Sequence, residues 1–261
     1  MPSTRQTTEA GSSRRERQRQ ATMDEIVRTA RGQLSEPGGL SLRAIAHEMG
    51  MTAPALYRYV SSLEGLTLTV AASIYDEIVG VLRGAADRHS TAPEAQIIAA
   101  AVSYRQWALR HRDEFVLCFV NQITDADEPD QNACALAGDR FRRFFADLFV
   151  EIWQRRPFDL PDEAEVGELA TVLDDPMNPF VPADATPAES EIPPGVQWVF
   201  LQAWTRLFGI VALEVFGHIA PGIVDSAALF RTVVADCGRT IGINADTLPG
   251  LEQIFADELA R

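Results

Sequence analysis

An all-α fold is predicted, with a three-helix head followed by a larger helical body. Three observations predict it. Apolar residues recur at spacings of three and four through most of the 261 residues. No stretch alternates polar and apolar with the period of a strand. Helix-breaking residues fall between the periodic stretches, at Pro37-Gly38-Gly39, Gly50, Pro93, Pro157, Pro161 and Pro221-Gly222.

Residues 1–13 are polar, rich in Ser and Thr, and interrupted by Pro2 and Gly11, a composition that predicts disorder. With the following Arg14, Arg15, Arg17 and Arg19, residues 1–17 read as a disordered basic arm. The arginines are either a solvated first turn or an arm that tracks phosphates or enters a minor groove. A first helix is expected from about 18 to 35, opened by a capping box Thr22-x-x-Glu25, with Ile26, Ala30 and Leu34 on its apolar stripe.

The stretch Ser41–Val60 reads as two short helices joined by a tight turn. Ser41 caps the first, because a hydroxyl oxygen accepts from the orphan N–H groups of a first turn. Leu42, Ile45, Ala46 and Met49 form its inner face, and Arg43 stands outside it. Gly50 falls where the chain must turn at positive φ. Thr52 caps the second helix, Pro54 occupies its first turn where a missing N–H costs nothing, and Leu56 anchors it inward. Ala53, Ala55, Tyr57, Arg58 and Tyr59 include its outward positions. Small residues followed by Tyr-Arg-Tyr suit a helix whose end enters a major groove, where hydroxyls and a guanidinium reach phosphates and base edges. A hairpin that only packs is the plain alternative. The arm and this stretch together make Arg14, Arg15, Arg17, Ser41, Leu42, Arg43, Thr52, Ala53, Pro54, Ala55, Tyr57, Arg58 and Tyr59 the candidate DNA-contacting set.

Ser61-x-x-Glu64 reads as a capping box for a long helix to about Arg88, with Leu66, Val70, Ile74, Ile78 and Val81 on its core face. It joins head to body. Further helices are expected over about 93–110, 113–122, 131–155, 162–171, 195–218, 225–242 and 248–259. An acidic loop lies over 125–130. Residues 174–194 hold six prolines, five acids and no basic residue, and read as a connector or as a lid over a ligand entrance. The division is therefore an arm over 1–17, a DNA-binding head over 18–66 and a ligand-binding and dimerisation body over 67–261.

The head resembles the tetracycline-repressor-like (TetR-type) transcriptional regulators. The residues that carry the resemblance are Ile26 and Ala30, Leu42-Arg43-Ala44-Ile45-Ala46, Gly50-Met51, and Leu56-Tyr57-Arg58-Tyr59-Val60 followed by Leu66. Looser likeness extends into the body. Tyr104-Arg105-Gln106-Trp107-Ala108 with Phe115, and Trp204 to His218, look like the ligand-binding part of a TetR subgroup named for a Trp-His-Gly motif. Phe208 stands where that motif has histidine, and Leu63 where the family usually has a basic residue that touches a phosphate. The resemblance implies double-stranded operator DNA as partner, a small-molecule effector, and a homodimer formed by the last two core helices, here about 195–218 and 225–242. It also raises the standing of the body's aromatics as cavity residues. Trp107, Phe115, Phe119, Phe145, Phe149, Trp204 and Phe208 are the candidates for an apolar or aromatic effector, with Arg105 as a polar anchor; the plain alternative for each is ordinary core.

Charge agrees with a basic head on an acidic body. The chain carries a formal net charge of −14. Residues 1–60 hold nine Arg against six acids, and the remainder holds fourteen Arg against thirty-one acids. The three cysteines have no metal-like spacing and suit a reducing cytoplasm. No signal-peptide core stands at the N-terminus and no membrane association is expected. The four histidines are scattered, and no His-Glu-x-x-His, paired Cys-x-x-Cys or Gly-x-Ser-x-Gly is found, so no metal, cofactor or catalytic group is expected. Two functions follow: a ligand-responsive repressor, or a helical enzyme or small-molecule carrier whose head has another role. The arginines and the helix-turn-helix favour the first.

Overall fold

The computed structural model describes residues 5–89, 91–120, 133–161 and 192–261, together with Val166, Pro179 and Phe180. The described residues are helical, with no strand among them. We number the helices α1 (Arg5–Gly32), α2 (Leu42–Glu48), α3 (Ala53–Leu56), α4 (Leu63–Asp87), α5 (Pro93–Arg110), α6 (Arg112–Phe119), α7 (Ala133–Arg155), α8 (Pro194–Val215), α9 (Pro221–Ser226), α10 (Ala228–Thr240) and α11 (Leu251–Leu259). The acidic loop at 125–130, the helix expected at 162–171 and most of the 174–194 segment lie outside the described residues, apart from Val166, Pro179, Phe180 and 192–194. Phe180 is buried, with its ring centroid 5.0 Å from that of Phe200.

Two compact units make up the chain. The first spans Met1–Ile74 and Asp113–Cys134, and the second Tyr75–Arg112 and Ala135–Arg261. The boundary between these units falls inside α4, and α6 from Asp113 onward lies in the first unit. In that unit Ile26, Ala30, Ile45, Ala46, Leu56, Leu66, Val70 and Phe115 are almost fully buried. Arg31 of α1 pairs with Glu114 of α6 at 2.7 Å, and the Cys118 thiol lies 3.8 Å from the Ala71 carbonyl.

Several expected ends moved. Residues 5–17 are helical in continuity with α1, not disordered. Arg, Gln and Glu dominate residues 14–20 and favour helix without supplying the apolar stripe by which a helix is usually read. Thr22 is consequently mid-helix, and its hydroxyl bonds back to the Gln18 carbonyl at 3.0 Å instead of opening a capping box. At the start of α4 the cap is Ser62, not Ser61: its Oγ accepts from Gly65 N at 2.9 Å. The helix expected over 225–242 is α10, which starts at Ala228 because Ala227 adopts φ 53° at the corner after the short α9.

In the second unit α5 packs against α8 and α11, and α8 against α10. Tyr104, Phe141, Phe145 and Trp204 interlock at its centre with ring centroids 5.6–6.4 Å apart. Both α4 and α8 are long and apolar enough to cross a membrane by length and composition alone. Charges within them are engaged inside the protein, among them Asp76 with Arg140 and Glu214 with Arg105.

Candidate DNA-binding and effector sites

The turn between α2 and α3 is built by short-range chemistry. Ser41 Oγ accepts from Ala44 N at 3.4 Å and so caps α2. α2 closes in a Schellman arrangement, with Gly50 N donating to the His47 carbonyl at 3.1 Å and Met51 N to that of Ala46 at 2.8 Å. Gly50 sits at φ 64°, a region that penalises any residue with a Cβ. Thr52 holds the N-cap position of α3, but its side chain makes no capping bond there. Pro54 lies in the first turn. α3 is a single α-turn, and tighter bonds from Arg58 N to the Ala55 carbonyl and from Tyr59 N to that of Leu56 carry the spiral on to Val60.

Around the buried Leu56, Thr52, Pro54, Tyr57 and Arg58 are exposed, while Ala53, Ala55 and Tyr59 are half-buried. Tyr57 keeps 55% of its surface and Leu63 43%. Arg43 is exposed on α2, with Ser41 and Leu42 half-buried before it. Arg14, Arg15, Arg17 and Arg19 are all exposed on α1. The Arg19 guanidinium lies 5.7 Å from the centre of the Tyr59 ring, which ties α1 to the end of the α3 segment. Sequence reasoning gave Arg19 no partner, since forty residues separate the two.

The second unit holds an apolar cavity of about 60 Å³. Of the eight candidate effector residues, Phe145, Phe149 and Trp204 line it. Phe208 stacks beside Trp204 with centroids 6.2 Å apart and is not in the wall. Trp107 is buried elsewhere: its indole N–H donates to Glu77 at 3.3 Å and its ring stacks on His111 at 5.2 Å. Phe115 and Phe119 belong to the first unit, where their centroids are 5.2 Å apart. Arg105 is 5% exposed and faces Glu214, with Nε donating to the carboxylate at 2.5 Å and Nη2 to the Val224 carbonyl. The wall is completed by Ile97, Ile98 and Ala101 of α5, Phe200, Ala203 and Leu207 of α8, Val234, Cys237 and Gly238 of α10, and Ile241 and Ile243 beyond it. Apart from the Cys237 thiol these side chains offer no polar group, and burial pushes that thiol's pKa up. Burial also raises that of Cys118, with Cys134 and Glu114 adding to the effect. A raised pKa lowers the share of reactive thiolate at both cysteines.

The model of the family described as "Tetracyclin repressor-like, C-terminal domain" matches residues 97–237, more than half of the chain. The protein belongs to the tetracycline-repressor-like family. Similar proteins match over a larger share of the chain. The "HTH-type transcriptional regulator Rv1816" of Mycobacterium tuberculosis is 27% identical over 211 residues, which covers 77% of this chain and 86% of that protein. The "HTH-type transcriptional regulator Mb1846" of Mycobacterium bovis matches to the same extent. Among solved structures, that of SCO4313 superposes with a TM-score of 0.64 at 26% identity, covering 85% of this chain and 97% of that one. A Rhodococcus sp. RHA1 protein shares the fold, with a TM-score of 0.55 at 20% identity over 84% of this chain and 93% of its own. As a TetR-type protein, this chain is a transcriptional regulator with a helical C-terminal domain.

Proposed function

We propose that this TetR-type regulator represses transcription in the cytoplasm by binding double-stranded operator DNA as a homodimer, and that a small apolar effector in the second unit's cavity releases it. The observation that carries the reading is the helix-turn-helix closed by Gly50, which leaves Arg43 of α2 and Tyr57 and Arg58 at the end of α3 exposed. A rigid turn with hydroxyls and guanidinium groups at the helix end suits phosphate and base-edge contacts.

Dimerisation is supported by what α8 and α10 leave uncovered. Leu213 on α8 and Leu229 on α10 are 46% and 41% exposed, and with Ile210 and Val233 they form one surface rimmed by Arg206, Asp236 and Arg239. Such a face suits a second copy of the chain, since a two-fold interface pairs a patch with itself. Two heads then address two half-sites ~34 Å apart or a multiple of that. The effector reading is supported by the cavity's almost wholly apolar wall. The buried Arg105–Glu214 pair takes no part in that wall, so the ligand it suits is uncharged.

A gel-shift assay with DNA flanking the coding region tests the reading. A discrete, competitor-resistant complex is expected; retention of only salt-sensitive, sequence-independent binding would leave a helical ligand carrier as the better description.

A further inference from the structure

Helix α11 lies past residue 237, where the family match ends, and it is tied at both ends to parts of the second unit. We propose that α11 is the strut by which filling of the cavity reaches the far end of α4, the helix that continues from the DNA-reading head. This rests on the effector reading above and supplies its route.

The near end starts in the cavity wall. Ile241 and Ile243 line the cavity and belong to the short connector between α10 and α11. That connector is braced internally. Thr247 Oγ1 accepts from Asn244 N at 2.9 Å and donates to the Gly242 carbonyl at 2.8 Å, while Asn244 Oδ1 accepts from Asp246 N and Thr247 N at 2.9 and 3.1 Å. It is also seated closely on α10, since a Cβ at Gly238 would meet Ile243 Cβ at 3.4 Å. Arg231 of α10 pairs with Glu252 in the first turn of α11 and lies 5.8 Å from the centre of the buried Phe255 ring. A displaced wall therefore carries α11 with it instead of being absorbed by slack chain.

The far end closes on α4. The Glu258 carboxylate, 2% exposed, receives the Arg88 guanidinium and His89 Nε2, the latter at 3.2 Å, and these are the two residues that follow α4. Gln106 of α5 adds donor bonds to the carbonyls of Glu258 and Leu259 at 3.0 and 3.3 Å. Acid in the first turn and cations at the last also complement the helix dipole, so both clasps suit their ends.

The cavity gives the strut something to transmit. About 60 Å³ is well short of the ~300–1,000 Å³ of an ordinary ligand pocket. Close-packed side chains cannot make up that difference without moving a wall. The α5 and α8 walls are pinned together by the buried Arg105–Glu214 pair. The α7 wall, Phe145 and Phe149, is interlocked by ring contacts with Tyr104, Trp204 and Phe200 of those same two helices. The C-terminal end of α10 and its connector are the wall most able to yield.

Ala203→Phe fills the cavity from α8 without a ligand, and amide hydrogen exchange at the end of α4 and at Arg88 and His89 reads the response. An about tenfold change in exchange rate there is expected on filling, within the range of ordinary allosteric couplings. In a Thr247→Val background, which removes the connector's brace, and in a Glu258→Gln background, which weakens the far clasp, the same filling should change the rate less than about twofold. Circular dichroism checks folding; Ala203→Leu replaces Phe if the larger ring prevents it, and Thr247→Val alone decides the route if Glu258→Gln does not fold. An α4 end indifferent to filling, or a response undiminished by loosening the strut, would overturn the proposal. No DNA enters this experiment, so a failed gel shift would sink the regulator reading and leave this result standing.

Discussion

Arg105 and Glu214 bury two charges in the second unit, with their side chains 6% and 0% exposed. A guanidinium that also stands 5.2 Å from the Phe230 ring centre and bonds the Val224 carbonyl is well satisfied, but only while its carboxylate remains. Removing one partner strands the other charge away from water. Glu214→Ala should therefore destabilise the second unit by ~3–5 kcal/mol in urea unfolding, far more than an exposed ion pair is worth. A loss under about 1 kcal/mol would show that water reaches the pair. Glu258 supports a prediction in pH. Burial alone would raise its pKa, but hydrogen bonds from Arg88 and His89 outweigh that and hold the carboxyl below the ordinary glutamate value of 4.5. A depressed folded value means that its stabilisation is complete above the unfolded pKa and disappears as pH falls through the folded one. The melting-temperature difference between wild type and Glu258→Gln should accordingly be full at neutral pH and shrink below about pH 4.5. A difference that stays constant down to pH 3 would remove the carboxylate from this role.

Among the elements, those closed by local chemistry were legible in the sequence. Ser41, Gly50, Pro54 and Leu56 fix the helix-turn-helix through bonds spanning five residues or fewer, so their spacing alone identifies it. The start of α1 was not legible, because residues 14–21 are exposed all round and give no periodic signal. α6 was expected as a helix, but its place in the first unit depends on Arg31–Glu114 across 83 residues. The cavity was read only in part for the same reason. Phe145, Phe149 and Trp204 stood out as aromatics, whereas Ile97, Ala101, Val234 and Ile243 look like any core aliphatic until the fold gathers them. Arg105 shows the converse: a polar residue on an apolar stretch invited a ligand role, and its partner lay 109 residues away. α8 and α10 carry the element-scale prediction. Their exposed leucines should be covered in a dimer, so Leu213→Asp or Val233→Asp should give a monomer by sedimentation at micromolar concentration, with the helical signal intact. A wild-type monomer would refute the interface outright.

For the whole molecule, the proposed function joins a basic head, an apolar cavity and a two-fold surface on one acidic chain of net charge −14. An effector can shift such a protein only by binding the DNA-incompetent arrangement better than the competent one, and the coupling must be reciprocal. All of that presupposes that the α3 surface reads DNA, which is the central claim. The most direct test is a fluorescence-anisotropy titration of DNA flanking the coding region with wild type and with Tyr57→Ala/Arg58→Ala, each confirmed folded. At ~1–3 kcal/mol per good contact, the double substitution should weaken specific binding by several kcal/mol while leaving weak nonspecific binding in place. Equal operator affinity in the two proteins would contradict the account.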